Sequence, residues 1–114
     1  MITRGEVRKW ALSFDGVSEE PRFNKTSFRV KGKIVATLNL EHDRACVRLS
    51  PIDQDVFCSF KEYVIYPVPN AWGKSGWTLI NLKKVRKDMF KDALTSAYCF
   101  VAPPKLSSKY LKLE

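Results

Sequence analysis

One histidine, three cysteines and no long apolar run among 114 residues close off several classes of chemistry at the outset. His42 is the lone imidazole and lies in the polar Glu41-His42-Asp43-Arg44 stretch. A serine-histidine-acid triad or a cysteine-histidine pair would therefore have to be built on a turn, and a histidine-based metal cluster has no second member. Cys46, Cys58 and Cys99 are odd in number and none is spaced as C-x-x-C, which predicts reduced core thiols rather than a disulfide framework or a zinc site. No cofactor is implied. Nothing approaches the ~20 apolar residues of a membrane-spanning helix, so no membrane partner is expected. The opening Met-Ile-Thr-Arg-Gly-Glu carries no signal-peptide core, which predicts a cytoplasmic protein. Asn24-Lys25-Thr26 then matches a glycosylation acceptor in letters only. Repeats, low-complexity tracts and Gly/Ser linkers are also missing, so residues 1–114 read as one domain, with 103–114 a C-terminal tail that packs through its leucines or stays mobile.

Positive charge is abundant. Twenty basic residues against 12 acidic ones give a net charge of +8, a bias that favours polyanions as partners. The distribution says more than the sum. Over residues 22–33 there are five basic side chains and no acid, namely Arg22, Lys25, Arg29, Lys31 and Lys33. A second acid-free run holds Lys74, Lys83, Lys84, Arg86 and Lys87.

Residues 27–40 organise the chain. Two alternating runs meet at Gly32, with Phe28, Val30, Ile34, Ala36, Leu38 and Leu40 on the core parity and Arg29, Lys31 and Lys33 on the other. This pattern predicts a half-buried hairpin with a basic tip around a glycine able to take φ > 0. Before it, Thr3 and Glu6 have capping-box spacing, and Val7, Trp10, Ala11 and Phe14 give a helix one apolar stripe that ends at Asp15-Gly16. Val17-Ser18-Glu19-Glu20-Pro21 reads as a polar connection.

After the Glu41–Arg44 turn, a third strand is predicted over 45–49. Ser50 and Pro51 open a short helix to about residue 60, with Ile52, Val56, Phe57 and Phe60 on its buried face. Residues 63–67 and 77–82 read as a second hairpin, joined by a long connection that carries Trp72 and Lys74. Val85, Met89, Ala93, Ala97 and Val101 then recur every four residues in a last helix that has no good N-cap and stops at Pro103-Pro104. The predicted fold is α+β: a two-layer, mostly antiparallel five-stranded sheet packed by helices, in the order α-β-β-β-α-β-β-α.

Several separated blocks together resemble the MmcQ/YjbR family across nearly the whole chain. They are Ala11-Leu12 with Phe14-Asp15-Gly16-Val17-Ser18-Glu19-Glu20, the hairpin segment Phe28-Arg29-Val30-Lys31-Gly32-Lys33-Ile34-Val35-Ala36, Gly76-Trp77-Thr78, Ser96-Ala97-Tyr98 and Lys105-Leu106. The resemblance implies a CyaY-like or secretion-chaperone-like fold. It also implies DNA binding, through a "double wing" likeness to a phage transcription-factor domain.

A DNA-binding surface needs cations that displace counterions from phosphates, on groups able to project. Arg29, Lys31 and Lys33 on one hairpin and Lys74 on the other meet this in type. Arg22, Lys25, Lys83, Lys84, Arg86 and Lys87 extend the surface if the hairpins project on the same side. Trp72 either stacks on bases or folds back onto its own strands, and Arg29 is the first candidate for guanine because its fork is bidentate. The expectation is a non-enzymatic DNA-binding protein using two basic β-hairpin wings; the alternative is a protein-interaction module, chaperone-like or adaptor, that recognises an acidic partner. Gly73-Lys74-Ser75 is no phosphate-binding loop, since Val68 stands where the first glycine is required. An iron role is disfavoured because Arg4, Arg8 and Lys9 crowd the first helix.

Overall fold

The computed structural model describes residues 1–59 and 64–110, the side chain of Arg22 excepted. Helix α1 (Arg4–Leu12) starts with the predicted capping box. Thr3 Oγ1 accepts from the Glu6 N–H at 3.1 Å, and the Glu6 carboxylate accepts from the Thr3 N–H at 3.0 Å, so two donors that a helix start leaves orphaned are satisfied. Val7 and Ala11 are buried, and Trp10 packs beside Phe90 with ring centroids 5.9 Å apart.

The expected polar connection is instead strand β1 (Val17–Arg22), so the sheet has six strands rather than five. β1 pairs with β2 (Lys25–Val30) from Val17↔Val30 to Arg22↔Lys25. Its pattern is hidden because an acid fills an inward position: Glu19 stands opposite buried Phe28, accepts from Thr26 Oγ1 at 2.8 Å and pairs with Arg8 at 3.0 Å. At the sheet edge the missing N–H of Pro21 is tolerated.

β2 and β3 (Lys33–Asn39) form the predicted hairpin. Lys31 and Gly32 both take positive φ, 52° and 78°, the two-residue turn that suits strand twist. The register shifts after Phe28, which faces Ala36, while Arg29 faces Ile34. Val35 is thus the extra residue of a β-bulge, buried together with Ala36, and Ile34 moves off the core parity expected of it.

β4 (Arg44–Arg48) leads through the Ser50 cap into α2 (Pro51–Cys58). The buried face expected of α2 is not realised: Ile52 is 77% and Val56 50% exposed, and of that set Phe57 alone packs on the core, Phe60 lying outside the described residues. Gln54 holds the helix instead, its Nε2 donating to the Gly73 carbonyl at 2.9 Å and to Thr78 Oγ1 at 3.1 Å. β5 (Ile65–Pro67) pairs with β6 (Trp77–Asn81), and β6 pairs on its other side with β4; Tyr63, expected to open β5, lies outside the described residues. The connection between β5 and β6 contains one helical turn, α3 (Ala71–Lys74), capped by Asn70.

The strand order is β1-β2-β3-β4-β6-β5, antiparallel throughout. α4 (Lys87–Val101) begins at Arg86 without a side-chain cap and buries Phe90, Ala93, Leu94, Ala97 and Tyr98 against β3 and β4. After Pro103, α5 (Pro104–Ser107) and a 3-10 turn (Ser108–Tyr110) pack through half-buried Leu106 and Tyr110. Strand alternation gives the sheet two faces. Phe28, Ala36, Leu38, Ala45, Val47, Ile80 and Ile65 form the core face, beneath α1 and α4. The opposite parity carries Ser27, Thr37, Cys46 and Leu79 in one cross-strand row and Lys25, Asn39, Arg44 and Asn81 in the next.

Candidate nucleic-acid interface

Strand register assigns the expected contact residues to two opposite ends of the sheet. Val30↔Lys33 closes the first hairpin, and Arg48↔Trp77 and Pro67↔Thr78 are the last pairs before the β5–β6 connection. The Lys31-Gly32 turn and α3 therefore share one end. Lys31, Lys33 and Lys74 are all exposed there, and none forms an ion pair with a described residue. Trp72 is 63% exposed, so of the two alternatives left open by the sequence, folding back is not the one observed. The second connection is no extended wing, however. α3 is folded so closely onto the chain that a Cβ at Gly73 would collide with the Val68 carbonyl, and one at Gly76 with that of Leu49.

The other end holds the row Arg22↔Lys25↔Asn39↔Arg44↔Asn81 and, just beyond β6, the Lys83–Lys87 run. Five residue steps along β2 separate the ends, roughly 17 Å. Three of the cations here are paired: Lys83 with Asp43 at 3.7 Å, Arg86 with Asp88 at 3.3 Å and Lys87 with Glu6 at 2.9 Å. Hydrogen bonding from the Lys87 ammonium, and then from the Thr3 N–H, holds the Glu6 carboxyl down at about 2. Arg22 takes its register place opposite Lys25, its side chain lying outside the description. The expected residues thus do not make one continuous surface.

Arg29, the expected guanine reader, is already engaged. Its Nε donates to Ser27 Oγ at 3.1 Å and lies 3.6 Å from the Glu20 carboxylate. Two arginines lie outside the sequence expectation. Arg44, in the stretch that reads as a turn, opens β4 on the same parity as Cys46, and that alternation is its signal in the sequence. Arg48 lies 5.9 Å from the Trp77 ring centroid and 5.8 Å from that of Phe100, and its Nε donates to the Ser75 carbonyl at 3.4 Å, which ties the α3 connection to β4. Burial pushes the Cys46 thiol up to about 11 and the Cys58 and Cys99 thiols upward as well, so all three are held protonated at neutral pH.

An antiparallel sheet with helices across one face and basic connections at its ends defines a two-layer α+β domain. The family model of YjbR matches residues 12–100, from the end of α1 through nearly all of α4, and the chain belongs to the YjbR family. Among solved structures, Deinococcus radiodurans protein DR2400, described by the family-model domain DUF419, is similar in fold. The likeness covers 96% of this chain and 88% of that one, with a TM-score of 0.79 and 17% sequence identity. No curated protein matches the chain. Among the described residues, no helix is long and apolar enough to cross a membrane.

Proposed function

We propose that this domain is a non-catalytic DNA-binding module that meets the phosphate backbone end-on, with the Lys31-Gly32-Lys33 turn and the α3 connection. One observation carries the reading: register brings these two connections to the same end of the sheet, where Lys31, Lys33 and Lys74 have no ion-pair partner among the described residues and Trp72 is exposed. Unpaired exposed ammonium groups can exchange water and counterions for phosphate oxygens without first breaking a protein contact. Trp72 adds a flat apolar ring beside them, suited to packing on sugar or base. Arg29, Lys83 and Lys87 would have to give up carboxylate partners, which makes them secondary.

The experiment is binding of the purified chain to labelled random duplex DNA across a salt series. Phosphate contacts give a linear fall of log affinity with log salt, of slope about 0.9 per contacted phosphate. Absence of binding at low salt overturns the DNA reading, and the same basic end then points to an acidic protein partner.

A further inference from the structure

We infer that the outer face of the sheet carries a second binding site, for a small oxyanion such as a phosphate or a carboxylate. It lies in a shallow concavity of about 140 Å³ bounded by Lys25, Thr37, Asn39, Arg44, Cys46 and Leu79. It belongs to the end of the sheet remote from the Lys31 turn and is independent of the DNA reading.

The site follows from two consecutive outward rows of the sheet. Lys25↔Asn39↔Arg44 is one row and Thr37↔Cys46↔Leu79 the next. Lys25 and Arg44 stand two strand spacings apart, roughly 10 Å at the backbone, with neutral Asn39 between them. Both are exposed and neither has an ion-pair partner among the described residues. Of the nearby acids, Glu20 and Asp43 are ion-paired elsewhere, with Arg29 and Lys83, and Glu41 accepts from the Asn24 side-chain amide. Two like charges facing one hollow, neither in an ion pair, repel each other, and an anion between them offsets that repulsion.

Neutral donors complete the arrangement. Asn39 Oδ1 accepts from the Glu41 N–H at 2.9 Å and the His42 N–H at 3.1 Å; this fixes the amide orientation and leaves Nδ2 as an oriented donor. The Thr37 hydroxyl makes no bond to a described residue. Arg44 offers a planar fork and Lys25 a point charge, the pair of geometries that suits a carboxylate or phosphate group. Leu79 and the protonated Cys46 thiol give the floor an apolar portion. The hollow is smaller than the ~300 Å³ at which pockets begin to enclose drug-sized ligands, so it accommodates an anionic head group rather than a large molecule.

The test is a backbone-amide NMR titration of the full chain with inorganic phosphate and, separately, with acetate, each matched for ionic strength with chloride. The expected result is saturable shifts confined to Lys25, Thr37, Asn39, Arg44, Cys46 and Leu79 for at least one anion, and the anion that saturates identifies the head group. Lys25→Gln and Arg44→Gln should each weaken binding tenfold or more. Thr37→Val, which keeps every charge, should weaken it severalfold, whereas Lys9→Gln, which removes a charge from α1, should leave it unchanged. Non-saturating shifts spread over the lysines, or equal weakening by Lys9→Gln and Arg44→Gln, would mean general screening and overturn the site; so would no response to either anion. The amide spectrum of each variant reports its folding in the same experiment.

Discussion

Tyr98 donates its phenolic hydroxyl to the Asp15 carbonyl oxygen at 2.7 Å across 83 positions of sequence. The Asp15 N–H donates to the Tyr110 hydroxyl at 3.1 Å, and the Asp15 carboxylate lies 2.6 Å from the Lys109 ammonium. Phe14 stacks on Tyr98 with centroids 4.7 Å apart. At Gly16, where φ is +78°, an added Cβ would lie 3.3 Å from Leu106 Cδ1. Phe14-Asp15-Gly16, Ser96-Ala97-Tyr98 and Lys105-Leu106, separated in sequence, thus meet in one lock that fastens α5 and the following turn to the end of α1.

Removing the hydroxyl tests that lock. Tyr98 is fully buried, and Tyr98→Phe leaves the ring in place while taking a donor from the Asp15 carbonyl. The expected loss is about 1 kcal/mol, read from urea unfolding with an unchanged m-value. A midpoint equal to that of the parent would show that the hydroxyl bond contributes nothing net.

Stability should carry an acid signature from Glu6. Its pKa falls from 4.5 to about 2 in the folded chain, so the folded state holds fewer protons than the unfolded state between those values. The contribution is fully present above 4.5 and disappears as pH falls through 2. Glu6→Gln should therefore unfold at lower urea than the parent at neutral pH, with the two curves converging across that window. Curves that stay separated at the lowest pH would assign the difference to the cap alone and not to the Lys87 pair.

Two glycines with positive φ should respond very differently to substitution. Gly32, at +78°, has open space where a Cβ would stand, whereas a Cβ at Gly76, at +102°, meets the Leu49 carbonyl oxygen. That strand segment is also held by the Leu49 N–H to Gly76 carbonyl bond at 2.9 Å. Gly32→Ala bears only the left-handed backbone cost, about 1–2 kcal/mol. Gly76→Ala adds a backbone collision and should cost about 3 kcal/mol or more. Equal unfolding midpoints for the two variants would contradict the tight approach of β6 to the end of β4.

The first hairpin is legible in sequence because each of its signals is local: alternation on both sides of Gly32, and a turn needing only two residues. β1 escapes that logic, since Glu19 occupies an inward position and is satisfied by Arg8 and Thr26, partners whose proximity the linear order does not reveal. α2 misleads for the converse reason. Ile52 and Val56 have helical spacing but face outward; Phe57 alone of the expected set packs on the core, and a polar residue, Gln54, makes the tertiary hydrogen bonds. The candidate interface depends wholly on register. Whether Lys31 and Lys74 share an end, and whether Lys83–Lys87 lie at the other, follows from pairings across β2, β3, β4, β6 and β5 that no local pattern encodes.

That division makes the DNA reading separable from a mere effect of net charge. Lys31→Ala/Lys33→Ala/Lys74→Ala removes three cations from one end, and Lys83→Ala/Lys84→Ala removes two from the other, all on exposed side chains. If the duplex is met end-on, the first variant should lower the magnitude of the log-log salt slope by roughly 3, about one per lost phosphate contact, and weaken binding similarly on all sequences. The second should keep the parental slope, because Lys83 is turned to Asp43 and both residues lie a strand's length from the contacted end. Trp72→Ala should reduce affinity by about 1 kcal/mol or more without changing the slope, since an indole carries no charge to exchange for counterions. A slope that falls in proportion to the number of charges removed, whichever end loses them, would mean that DNA responds to the +8 of the whole chain and not to the Lys31–Lys74 end.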